Sequence, residues 1–95
     1  MPRLSAIVIT HNEARNIEDC LASLAFCDER IVVDGGSTDD TARLARDTGA
    51  HVVEHRFEGF GPQKNFALAQ ARGEWILSLD ADERVSPALA PPQAP

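Results

Sequence analysis

Four short apolar runs, each separated from the next by a stretch with helical spacing, constrain this chain more than any other feature. The runs are Leu4 to Thr10 (LSAIVIT), Arg30 to Asp34 (RIVVD), Ala50 to His55 (AHVVEH) and Glu74 to Asp80 (EWILSLD). Nearly continuous β-branched and aliphatic residues, without polar alternation, mark strands buried on both faces. Between the first two runs, Ile17, Cys20, Leu21 and Leu24 fall on one helical face, and Asn16 with Asp19 three residues on predicts the N-cap. Thr41, Leu44, Ala45 and Thr48 give a second helix its inner face, stopped by Gly49. Pro62 suits the first turn of a third helix, which is expected to reach Arg72 with Gly73 as its C-cap.

The resulting β-α-β-α-β-α-β order predicts an α/β fold with a parallel, doubly wound sheet, because parallel neighbours need helical crossovers. Right-handed crossovers put helices on both faces and favour the strand order 3-2-1-4. Such sheets bind ligands outside the carboxyl ends of their strands, at the switch point, here between strands 1 and 4. The polar residues gather at those ends: Thr10 to Glu13 after strand 1, Asp34 after strand 2, Asp80 and Asp82 after strand 4.

Ninety-five residues bound the chain to one small domain, expected over 1–86. Fifteen acidic against nine basic residues, a net charge of -6, argue against a nucleic-acid groove and require that an anionic ligand bring a cation with it. No apolar run approaches the ~18 residues of a membrane span, and the N-terminal run reads as a strand rather than a signal peptide. Cys20 and Cys27 lack zinc-site spacing, so reduced thiols and a cytoplasmic setting are expected. Pro87 to Pro95 contain four prolines and no periodicity, which predicts a disordered tail. With no fifth strand, strand 4 would be a bare hydrophobic edge that invites association, and the chain is expected to be a fragment.

Asp80-Ala81-Asp82 places two carboxylates at i and i+2 beyond a strand end. They repel unless water screens them or a cation sits between them, and magnesium or manganese takes such hard oxygen ligands together with substrate phosphates. A solvated acidic turn is the plainer reading. Asp34, followed by Gly35 and Gly36, can lie against a flat ligand or simply cap a turn with Ser37 and Thr38. Thr10, Asn12 and Glu13 border the same crevice, as contacts or as turn residues. Lys64 falls in the first turn of helix 3, where a cation opposes the helix dipole and either faces an anion or is simply solvated. His51 and His55 flank strand 3 and are expected at surface or edge positions, while His11 lies nearer the crevice.

In this order and spacing, SAIVITHNEARNIEDCLASL, IVVDGGSTDDT, GFGPQKNFAL and WILSLDADERV resemble the N-terminal, nucleotide-sugar-binding half of family-2 glycosyltransferases of the Rossmann-like GT-A fold. The likeness is strongest to the bacterial subgroup that adds a glucose-type sugar to the lipopolysaccharide core. It implies that Thr10, Glu13, Asp34, Lys64 and Asp80 bind a nucleotide-diphospho-sugar, usually a UDP-sugar, and that Asp80 and Asp82 hold a divalent metal. It further implies inverting transfer to a glycan or lipid-linked acceptor at the inner face of the cytoplasmic membrane. Gly35 stands where many relatives carry a second Asp, which removes one nucleotide contact. The family's catalytic base lies well beyond the Asp-x-Asp, so none is assigned in this chain.

Two other classes fit less well. A phosphatase-type Asp-x-Asp-x-Thr/Val strand end would have Arg84 at its Thr/Val position and would open a domain, not close it. A phosphate-accepting receiver needs an acidic pair after strand 1, which is absent. The non-enzyme alternative is a catalytically inactive nucleotide-binding module.

Overall fold

The computed structural model describes residues 3–85. Ser86 and the Pro-rich segment expected to be disordered lie outside the described residues. The elements are β1 (Leu4–Thr10), α1 (Ala14–Ala22), β2 (Glu29–Asp34), α2 (Thr41–Asp47), β3 (His51–Glu54), α3 (Phe60–Gln70) and β4 (Trp75–Asp80). All strand pairs are parallel and the order is β3-β2-β1-β4, as the crossover argument predicts.

The core divides across the sheet. On one face Ile17, Cys20, Leu21 and Leu24 from the α1 side and Ala45 from α2 pack against Ala6, Val8, Val32 and Leu79. On the other, Ala67 of α3, with Phe66, covers Ile7, Ile31 and Val33. Burial pushes the Cys20 thiol up to about 11, the nearby Arg84 charge opposing this only in part. Both cysteines are free thiols. Among the described residues no helix is long and apolar enough to cross a membrane.

One helix start and one helix end differ from the sequence expectation. α1 begins at Ala14, with Glu13 rather than Asn16 at the N-cap position. Its first N–H groups are satisfied from a distant loop: the Thr41 hydroxyl accepts from Glu13 N at 2.9 Å and the Asp39 carboxylate from Ala14 N at 3.2 Å. Asn16 instead donates its side-chain amide to Glu13 Oε2 at 3.1 Å. α3 begins at Phe60, which keeps Pro62 in its first turn as expected, and Gly59 at φ 127 makes the preceding turn, a conformation that L side chains rarely adopt. It ends at Gln70, and Gly73 is no cap.

Gly73 serves close approach instead. Its N–H donates to Ser5 Oγ at 2.8 Å, and a Cβ there would lie 2.5 Å from that oxygen and 2.8 Å from Ser5 N. Ser5 Oγ in turn donates to Glu29 Oε1 at 2.7 Å, and Arg72 donates to the same carboxylate through its backbone N at 2.9 Å and its Nε at 3.1 Å. This network closes the amino-terminal edge of the sheet. At the same edge Arg30 ties α1 to α2, donating to Leu21 O at 3.0 Å and Thr48 O at 2.7 Å.

Candidate functional site

Parallel pairing sends every strand's carboxyl end to one edge, and the register aligns those ends closely. Thr10 pairs with Asp34 across β1 and β2, and Ile9 pairs with Asp80 across β1 and β4. An open cleft of about 460 Å³ lies over this edge. Thr10, Glu13, Asp80 and Asp82 line it as a polar rim, with Phe57 and Phe60 as an aromatic wall.

The turn after β4 decides how its acids are presented. Ala81 is 2% exposed and packs into the core on the α1 face, and its N–H extends the ladder to Ile9 O at 3.2 Å. Asp80 and Asp82, two residues apart, both line the cleft on either side of Ala81. Glu83 closes the turn: its carboxylate accepts from Asp80 N at 2.7 Å, and its own N–H donates to Asp80 O at 2.9 Å. Arg84 turns to α1, reaching Asn16 Oδ1 at 3.2 Å and Asp19 Oδ2 at 3.5 Å. The third carboxylate of the Asp80 to Glu83 run is therefore structural, and the neighbouring cation does not neutralise the other two.

Asp34 is placed at the same edge but held differently. It is 1% exposed, and Ser37 bonds both its carboxylate oxygens, Oδ2 through the backbone N–H at 3.0 Å and Oδ1 through the hydroxyl. Asn12, at φ 51, braces that loop by donating its N–H to Ser37 Oγ at 2.8 Å and accepting from Thr38 N at 2.8 Å through Oδ1. The neighbouring Gly35, not Asp34, lines the cleft. Thr10 is 3% exposed and its Oγ1 has no hydrogen-bond partner among the described residues, which leaves a polar group open beside the cleft.

Lys64 does not line the cleft. It is exposed on α3, four residues after Phe60, which puts it on the helical face that carries the aromatic wall. His11 does line the cleft. β3 is an edge strand, as expected for the two histidines that flank it: His51 is exposed at its start, and His55 just beyond its end is half-buried, bonded to Gln63 and stacked on Phe66. Phe57, Phe60 and Gln63 were not read as site residues from the sequence. The available signal was two aromatics in a Gly-rich loop directly beyond a strand end.

The doubly wound domain with an acidic rim at its switch point is that of GT-A glycosyltransferases. The family model "Glycosyl transferase family 2" matches residues 5–95, and the chain belongs to that family. It is 43% identical over 90 residues to an uncharacterized glycosyltransferase of Rickettsia felis, covering 94% of this chain and 32% of that protein. It is 41% identical over 91 residues to the lipopolysaccharide core biosynthesis glycosyltransferase LpsC of Rhizobium meliloti, covering 90% of this chain and 34% of that protein. Among solved structures it matches glucosyl-3-phosphoglycerate synthase of Mycobacterium tuberculosis in complex with UDP, with a TM-score of 0.77, 32% identity, and coverage of 86% of this chain and 34% of that one. The same enzyme with Mn2+, UDP and glucosyl-3-phosphoglycerate matches with a TM-score of 0.76 at 29% identity, over 87% of this chain and 36% of that one. The chain spans about a third of the length of the curated relatives it matches.

Proposed function

We propose that the cleft binds a nucleotide-diphospho-sugar, a UDP-sugar, and that the protein transfers the sugar with inversion to a cell-envelope glycan or lipid acceptor at the cytoplasmic face of the membrane. The observation that carries the reading is the meeting of Thr10, Glu13, Asp80 and Asp82 in one cleft, in a chain 32% identical to a structure obtained with UDP.

The donor set fits a divalent metal. Asp80 and Asp82 offer hard carboxylate oxygens, and magnesium or manganese commonly takes one or two such ligands and completes its shell with phosphate oxygens and water. Among the described residues no group of three or more His, Cys, Asp and Glu side chains is arranged to hold a metal, so the ion depends on the diphosphate for its remaining ligands. When bound, the cation supplies positive charge that stabilises the leaving nucleoside diphosphate. Asp80 and Asp82 orient the diphosphate end. Thr10 Oγ1 and Glu13 contact the nucleotide, and Asp34 shapes the nucleotide side from beneath Gly35. Lys64 reaches the phosphates from the α3 face next to Phe60. No residue of the cleft is assigned as the base that deprotonates the acceptor hydroxyl.

Calorimetric titration with UDP tests the reading. Binding that strengthens with manganese supports it, and no binding under either condition contradicts it. A second reading is a module that binds the nucleotide without turnover, since Glu83, committed to the turn, is not available as a base. A sugar-nucleotide hydrolysis assay separates the two.

A further inference from the structure

Gln63 is the one fully buried amide of α3, at 0% exposure, and it spends both ends of its side chain on a single residue eight positions earlier, just beyond β3. Its Nε2 donates to His55 O at 2.8 Å, and its Oε1 lies 2.8 Å from His55 Nδ1. A backbone carbonyl only accepts, so the Gln63 atom facing it must be the amide nitrogen. The atom facing the ring is then the amide oxygen, itself an acceptor, and His55 must carry a proton on Nδ1. In the neutral ring Nε2 is bare.

The same pair holds the end of β3 at both its flanks. His55 N donates to Asp34 O at 2.9 Å, and its ring stacks on Phe66 with centroids 3.8 Å apart. Gln63 Nε2 lies 3.6 Å from where a Cβ on Gly35 would stand, and Phe57 Cβ lies 3.3 Å from that point. The loop between His55 and the start of α3 carries Phe57, whose ring meets that of Phe60 edge-on at 5.2 Å. We propose that Gln63 is a positioning residue: by locking His55 as the Nδ1–H tautomer and pinning its carbonyl, it fixes the Phe57–Phe60 wall over Gly35 and so sets the cleft's affinity for nucleotide. Only the affinity arm below rests on the donor-site reading.

Long-range proton–nitrogen correlation spectra of the parent at a pH where His55 is neutral should show a protonated Nδ1 and a bare Nε2. The reverse tautomer overturns the proposal whatever the variants do. In Gln63→Leu the tautomer lock should be lost, the nuclear Overhauser contacts between the Phe57 and Phe60 rings should weaken, and UDP affinity should fall roughly tenfold, the scale set by losing a buried hydrogen-bonded pair. Gln63→Glu keeps the acceptor for Nδ1 and loses the donor for the His55 carbonyl, so it should hold the tautomer yet weaken the ring contacts. If Gln63→Leu does not fold, the parent spectrum and Gln63→Glu decide. Unchanged ring contacts in both folded variants contradict the proposal. If the parent itself binds no UDP, the donor-site reading fails while the tautomer and ring-contact arms still judge this one.

Discussion

Asp34 and Asp80 end the two strands that flank β1 and pair there with Thr10 and Ile9, one residue apart along the shared central strand. With neighbouring strands separated by about 4.8 Å, these two residues stand roughly 10 Å apart along one rim. Three sequence segments thus converge on one cleft through strand pairing alone. The local turns then decide how each acid is presented.

Asp34 is the buried member, and its carboxylate depends on Ser37 at both oxygens. Removing the hydroxyl leaves one oxygen of a 1% exposed carboxylate short of a donor. Ser37→Ala is expected to lower stability by about 1–3 kcal/mol, read from urea denaturation, and Ser37→Thr, which keeps the hydroxyl, by less. Equal losses in the two variants would count against the role given to that bond.

Gly73 has a steric role at the opposite edge of the sheet. An alanine methyl would meet Ser5 Oγ at 2.5 Å and the backbone of Ser5 at 2.8 Å, neither of which has room to retreat without disturbing β1. Gly73→Ala is expected to cost about 1–3 kcal/mol by overpacking. A variant as resistant to urea as the parent would show that the Arg72–Gly73 segment is free to shift.

Acid should loosen the same edge. Burial works to raise the pKa of Glu29, but the hydrogen bonds from the Arg72 backbone, Ser5 and the Arg72 guanidinium, with that guanidinium's charge, outweigh it and hold Glu29 below its ordinary value of 4.5. Backbone N–H groups of Leu4 and Arg3 lower Asp28 likewise. A carboxylate whose folded pKa is depressed stabilises the fold fully above its unfolded value and loses that contribution as pH falls through the folded one. The urea midpoint is therefore expected to decline below pH 4.5, and Glu29→Gln should flatten that decline. An unchanged slope would remove Glu29 from the account.

Strand order and the two-faced sheet were legible because unbroken runs such as AIVI and IVV can only be buried centrally, and parallel pairing then fixes where their ends go. The start of α1 was not, since its capping partners Asp39 and Thr41 sit more than twenty residues away. A local reading therefore favoured Asn16. Gly73 looked like a helix C-cap, but its reason is the approach of Ser5, a contact made only after the chain has folded back. At the site, Thr10, Glu13, Asp80 and Asp82 were legible as strand-end residues, and the structure brings them together. Lys64, a phosphate contact by the resemblance, lies exposed on the helix face outside the cleft lining. The PQKN segment drew attention to its charge, while its structurally decisive member is the buried, neutral Gln63. Amides at helix positions carry no charge signal, and their partners appear only in three dimensions.

Manganese broadening of backbone amide resonances in the presence of UDP tests the rim most directly, because the loss of signal maps the ion's position without assuming a mechanism. Broadening concentrated at Thr10, Gly35 and Asp80 to Asp82, and abolished by Asp82→Ala, is the predicted result. Broadening centred away from the carboxyl edge, or unchanged in Asp82→Ala, would contradict a metal-bridged diphosphate at this cleft.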